Sequence, residues 1–333
     1  MRKIFILLVL ILVSCNNVIY TPYEYIAQEP IVTYIKYPIL TQSMHITQVG
    51  EHSEYVQIGT FQNVNSNYLL PHGIHAITMN LNNFDEISFL EIISAGRTPL
   101  IEVIPRDILM PFDKSNLQNF AKSLGIFNVS AFIKFFPNAR SNNFDSLQYI
   151  NFFMYAREVF RNYSPNAIFV WSIFENDVLD SHEFFPGSNY VDWVGITQKI
   201  SLTENREHIR GAEERFSFFY HNYFALPILV TFGVSHFSTH NHSYHVMEAY
   251  EILENHYNFL LNFPRVRAIL YSESNLLSEK DNFSITQSDI LLNAYNKIIL
   301  DERITRDSFS RLGGEEVLRD VRSPYYNIIK LEN

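Results

Sequence analysis

Four acidic residues, Glu102, Glu175, Asp177 and Glu273, fall within or just after short apolar runs rich in Val, Ile and Phe. If those runs are strands, carboxyls at their ends can share one pocket, and two carboxyls there divide the work of general acid, base or nucleophile. Lys134 and Arg140 lie in a neighbouring stretch and can each pair with one of these acids, which would make the carboxylate a hydrogen-bonding group instead of a catalyst. Trp171 closes another run and offers either a stacking platform for a ligand ring or a filling for the pocket mouth, and Lys199 follows the next run. Four imidazoles, His236, His240, His242 and His245, sit close together farther on. Their spacing matches no zinc signature and no acid lies among them, so they read as loop histidines, and neither a metal nor a cofactor is expected.

These groups need elements to position them, and the chain supplies eight candidate strands, at 55–60, 75–81, 98–105, 129–136, 167–173, 191–197, 227–232 and 267–272. Helical patterns lie between them at 84–95, 115–124, 146–163, 204–223 and 244–262, with a last one at 286–300. Near-continuous apolar strands separated by helices belong to a parallel sheet buried on both faces. Eight such units point to a single (β/α)8 barrel; an open doubly wound sheet is the competing arrangement. Gly96 and Gly125 follow two of the helical patterns, as C-cap glycines do. In a barrel the candidate groups gather where the strands end, at the C-terminal face. Asp192 lies at the start of its strand and so belongs to the opposite face, where a structural hydrogen-bonding role is expected.

The most specific stretches are Trp171-Ser172, Pro186-Gly187 and Tyr190-Val-Asp-Trp-Val-Gly195. Together with the strand succession over about residues 55–280, they resemble glycoside hydrolase family 26, the β-mannanase-like barrels. The resemblance places the family's acid/base Glu at Asn138, in Pro137-Asn138-Ala139-Arg140, and its nucleophile Glu at Thr231, in Val230-Thr231-Phe232-Gly233. Lys199 falls where the family often has a Tyr that supports the nucleophile. No shift of register restores either carboxylate, because residues 114–144 and 215–247 contain no Asp or Glu. Retaining hydrolysis needs two carboxyl groups about 5–5.5 Å apart; Asn gives no acidic proton, and Thr without a base is a poor nucleophile. The resemblance therefore implies a barrel that has kept its shape and lost retaining hydrolysis, binding a glycan or another envelope component at its mouth. Two alternatives stay open: a glycoside hydrolase working with relocated carboxylates, and a structural or partner-binding lipoprotein.

Composition bounds the rest. The chain has 333 residues, 47% hydrophobic, which suffices for one large core. A formal net charge of −10 disfavours nucleic acid as a partner, since that binding neutralises phosphates with Lys and Arg. Arg2 and Lys3 precede an apolar run that ends in Leu12-Val-Ser-Cys15, the pattern of a bacterial signal peptide with a lipobox. The domain plan is accordingly a signal and lipobox over 1–15, a tether over 16–53, the barrel over 54–303 and a C-terminal appendage over 304–333. Cys15 is the only cysteine, so the monomer can hold no disulfide and the core alone must hold the fold together. Localisation then follows from acylation of Cys15, with the protein anchored to a membrane of the cell envelope. Firm anchoring takes more than one acyl chain, so Cys15→Ser is expected to move the protein to the soluble fraction or to leave the precursor uncleaved. Detergent-requiring membrane association unchanged in Cys15→Ser would contradict the lipobox reading.

Overall fold

The computed structural model describes residues 56–61, 70, 72–104, 114–137, 139–140, 144–202, 207–223, 226–238, 242–273 and 282–306. The signal and tether with Cys15, Asn138, His240 and the chain after residue 306 lie outside the described residues. In order, the elements are β1 (Val56–Phe61), β2 (Ile74–Asn80), α1 (Glu86–Ser94), β3 (Thr98–Ile104), α2 (Lys114–Phe127), β4 (Ala131–Phe135), α3 (Ser146–Tyr163) and β5 (Ala167–Phe174). There follow β6 (Trp193–Ile200), α4 (Glu207–Asn222), β7 (Ile228–Val234), a small hairpin of β8 (Phe237–Ser238) and β9 (Ser243–Tyr244), α5 (Val246–Leu261), β10 (Val266–Ser272), α6 (Asp289–Ile298) and β11 (Ile304–Thr305).

Strands β1 to β7 and β10 pair in parallel in that order, and β10 returns to β1 with Gln57 opposite Ala268 and Phe61 opposite Ser272. The sheet is therefore closed, the eight-stranded barrel that the alternation predicts, and the open-sheet alternative is excluded. All eight expected strands are present within a few residues of their expected ends.

Period-two alternation divides the strand side chains between two cores. Inside the barrel Ile74, Leu100, Phe132, Val170, Trp193 and Leu270 pack on one another; their neighbours Ile101, Ile133, Phe135, Phe169 and Val194 face the helices. The outer layer absorbs much of the phenylalanine. Phe135 sits edge-on to Phe152 at 5.3 Å and to Phe160 at 5.7 Å, and is tilted against Phe169 at 5.7 Å. Such pairs stabilise beyond their buried area by about 0.5–1.5 kcal/mol each. At the start of β6, Asp192 accepts two bonds of 2.6 Å from the Arg157 guanidinium and one of 2.8 Å from the Phe169 N–H, tying α3 to two strands on the face away from the barrel mouth.

Two local expectations are corrected. Gly96, at φ 70°, does end the first helix in the left-handed region, but Gly125 lies inside α2 and is no cap. A Cβ there would stand 1.9 Å from the Tyr163 carbonyl oxygen, so glycine serves the close approach of α2 to the end of α3. Asn128, at φ 49°, is the left-handed residue after that helix. The expected appendage also begins within the sheet, because Ile304–Thr305 pair in parallel with Val56–Gln57.

Candidate functional site at the barrel mouth

Lys134 is the one charged residue in β4. Ala131, Ile133 and Phe135 join the outer core and Phe132 the inner one, so alternation turns Lys134 into the barrel. Its side chain is 1% exposed. The ammonium donates to Glu102 Oε1 on the adjacent β3 at 3.0 Å and to Thr231 Oγ1 on β7 at 3.1 Å. Since β5 and β6 separate β4 from β7 in the sheet, the lysine spans the interior instead of lying along one wall. Beneath it Phe132 packs edge-on against Trp193 at 5.2 Å, so the floor is solid. Burying an ammonium costs several kcal/mol unless a counter-charge and hydrogen bonds compensate. Glu102, with a side chain 16% exposed, supplies the charge, and Thr231, 4% exposed, supplies a second acceptor.

The strands behind this bridge are held by a second polar chain in the outer layer. His256 donates from Nε2 to Gln198 Oε1 at 3.1 Å, and Gln198 Nε2 donates to the Ala212 carbonyl at 2.9 Å, linking α5, β6 and α4. Burial drives the His256 pKa down to about 3, so the ring is neutral where it lies against Phe232, beside Thr231 in β7.

The remaining candidate acids are each engaged. Asp177 and Asp180 flank Arg140, at 3.8 and 2.5 Å. Glu175, in the one-turn helix that follows β5, pairs with Arg215 at 3.4 Å. Glu273 accepts the Thr286 hydroxyl at 2.5 Å, the Thr286 N–H at 3.2 Å, the Ile285 N–H at 2.9 Å and the Ser284 hydroxyl. That carboxylate anchors the turn at Ile285–Gln287 and has few lone pairs left for other work. Of the candidate groups, the structure brings together Lys134, Glu102 and Thr231, and separately Arg140 and Asp177; Glu175 and Glu273 stand with other partners.

Trp171 does not offer a stacking face. It is 1% exposed, and Phe185 and Tyr223 each cover it at 5.0 Å, because its position in β5 points outward. The crevice it borders with Pro137, Arg140, Ser172, Asp177 and Phe184 has about 10 Å³, room for about one water. Lys199 is half-buried over the Phe283 ring at 5.3 Å. His236 is buried against Tyr244, ring centroids 5.6 Å apart, and burial lowers its pKa. Among the described residues no three His, Cys, Asp or Glu side chains converge as metal ligands.

Among the described residues, the mouth is most exposed on its β2–β3 side. Along the inward series Thr78 is exposed, Glu102 is half-buried and Ile104 is 42% exposed. Thr78 and Ile104 escape sequence inspection because only strand parity tells which residues face the axis.

No protein-family model matches the chain, and no curated protein sequence matches it. Solved structures do. A family 26 β-mannanase from Bacteroides ovatus superposes with a TM-score of 0.61 at 9% identity, over 80% of this chain and 94% of that one. An endo-β-1,4-mannanase double mutant from Cellulomonas fimi gives 0.57 at 9% identity, over 80% and 75%. GH26C from a Muricauda species gives 0.56 at 9% identity, over 80% and 90%. The fold is that of the family 26 glycoside hydrolase barrels. At this identity the similarity is one of fold alone, and the chemistry must be argued from the residues at the mouth.

The bridge has a measurable signature. Lys134→Met strands the Glu102 carboxylate and the Thr231 hydroxyl, and loss of one partner of a buried pair costs about 3–5 kcal/mol. We expect the lower end, about 3 kcal/mol by urea denaturation, since Glu102 keeps some solvent. Lys134→Met combined with Glu102→Leu should recover most of that loss. Losses that simply add in the double variant would show that the two side chains are not coupled.

Proposed function

We propose that this chain is a carbohydrate-binding barrel that does not hydrolyse its ligand and that is held at a bacterial cell envelope by acylation of Cys15. One observation carries the loss of hydrolysis. Thr231, the position that the family resemblance assigns to the nucleophile, accepts a hydrogen bond at 3.1 Å from a buried ammonium. A retaining site stabilises positive charge developing on the sugar with nearby carboxylates; the Lys134 ammonium at this point has the opposite effect on such a transition state. The relocated-carboxylate alternative is weakened because Glu102, Glu175, Asp177 and Glu273 each have a cation or a set of donors already bound.

A carbohydrate ligand is supported by the fold shared with mannanases and by the exposed residues on the β2–β3 side of the mouth. There Thr78 and Glu102 present a hydroxyl and a carboxylate, groups suited to sugar hydroxyls. The test is to incubate the protein lacking residues 1–15 with mannans, glucans, xylans and peptidoglycan fragments, recording binding and reducing-end release together. Binding to at least one polymer with no release is the expected result. Release that is lost in Glu102→Gln, Glu175→Gln or Glu273→Gln would establish a working hydrolase with relocated acids, and absence of binding to every polymer would leave the partner-binding lipoprotein ahead.

A further inference from the structure

His72 and His75 form a buried imidazole pair where β2 begins, on the face of the barrel opposite the mouth. Ile74 and Ala76 belong to the inner core and Ile77 to the outer one, so strand parity turns His75 outward. His72 Nε2 and His75 Nδ1 stand 2.9 Å apart, with ring centroids at 5.0 Å and planes tilted by 40°. His72 is 6% exposed and His75 0%. The Leu70 carbonyl can only accept, so His72 Nδ1 carries a proton and donates to it. Nε2 of the neutral His72 ring then accepts from His75 Nδ1.

Arg97, in the turn between α1 and β3, places a guanidinium nitrogen 3.5 Å from the same His75 Nδ1. Among the described residues no carboxylate offsets this cation. Glu86 and Glu91 of α1 are exposed, Glu102 of β3 pairs with Lys134, and Asp301, ahead of β11, pairs with Arg303. A proton added to His72 would therefore set a second positive charge near the guanidinium, in a place with little water, and both effects favour the neutral ring. Burial first, and then Arg97 and His75, bring the His72 pKa down to about 2. The pair also sits at a joint of the sheet. The Gly73 N–H donates to the Ile58 carbonyl of β1 at 3.0 Å, and the Thr98 N–H of β3 donates to the Gly73 carbonyl at 2.8 Å.

We propose that His72 and Gly73 form an acid-released latch on the N-terminal face of the barrel, shut while the two imidazoles share one proton and freed when His72 takes up a second. The barrel itself stays closed when the latch opens, and the device does not depend on what the mouth binds. Once freed, His72 meets water and regains an ordinary imidazole pKa of about 6.5. The shut form then binds fewer protons than the open one, so closure is favoured above about pH 6.5 and is lost as pH falls below it. With the shut form neutral throughout, acidification from pH 7.5 to 5.5 raises the open population about tenfold.

The test is hydrogen–deuterium exchange of the protein at pH 7.5 and 5.5, resolved to single amides and corrected for intrinsic rates. In the wild type, protection of the Gly73 and Thr98 amides is expected to fall about tenfold at pH 5.5. In His72→Gln it should be the same at both pH values, whatever its level, because glutamine takes up no proton. His256→Gln, which removes another deeply buried neutral imidazole, should retain the fall. Unchanged wild-type protection at pH 5.5, or a fall that persists undiminished in His72→Gln, overturns the latch. So does equal protection at these two amides and in β5 and β6, which would show that His72 is released only when the whole barrel unfolds.

Discussion

A buried ammonium spans the barrel from β4 to β7, and the character of the mouth follows from it. Lys134 is accommodated there by Glu102, 3.0 Å away on the next strand, and by Thr231, which accepts a further bond at 3.1 Å from across the interior. The effective cost of desolvating each ion is several kcal/mol, and removing either partner leaves that cost uncompensated. The three side chains therefore constrain one another, and with them the relative positions of β3, β4 and β7. On the proposed reading, a sugar ring reaching the exposed Thr78 and the half-buried Glu102 would meet an ion-paired carboxylate and, farther in, a hydroxyl already in use, a surface suited to hydrogen bonding and unsuited to nucleophilic attack.

The surrounding structure keeps this arrangement fixed. Phe132 and Trp193 fill the floor, so the lysine cannot swing downward. The neutral His256 and Gln198 connect β6 to the helical layer, and Phe232 packs on the imidazole at 4.5 Å, one residue from Thr231. Acids elsewhere on the rim are committed to loop architecture, Glu273 to the turn at Ile285–Gln287 and Asp177 to Arg140. Each candidate carboxylate of the mouth thus has a structural partner, the feature on which the proposed non-hydrolytic role rests.

Much of the fold was legible because strands buried on both faces are continuous apolar runs, and because helical periodicity recurs between them. What failed was geometry that one-dimensional pattern does not encode. Trp171 and Lys134 both sit in apolar strands, yet a shift of one residue reverses which face each occupies; Lys134 turns inward and Trp171 outward. Gly125 looked like a terminator, while its real constraint, the Tyr163 carbonyl, lies on another helix. The pairing of Lys134 with an acid was foreseeable from a cation within an apolar strand beside strands that carry acids, but its bond to Thr231, 97 positions away, was not.

The role of Lys134 at the mouth is tested most directly by restoring the two carboxylates that the family resemblance implies and asking whether they act. A carboxylate introduced by Thr231→Glu would meet the Lys134 ammonium and be held in an ion pair instead of aimed at an anomeric carbon. The measurement is reducing-end release from β-mannan by the Asn138→Glu/Thr231→Glu variant, with and without Lys134→Met. The expected result is no release while Lys134 is present, even though general acid/base help by itself contributes about 10²–10⁴-fold in a competent site. Robust hydrolysis by the double variant with Lys134 in place would contradict it, showing a catalytic cleft intact beneath two substitutions and a lysine that does not govern the mouth.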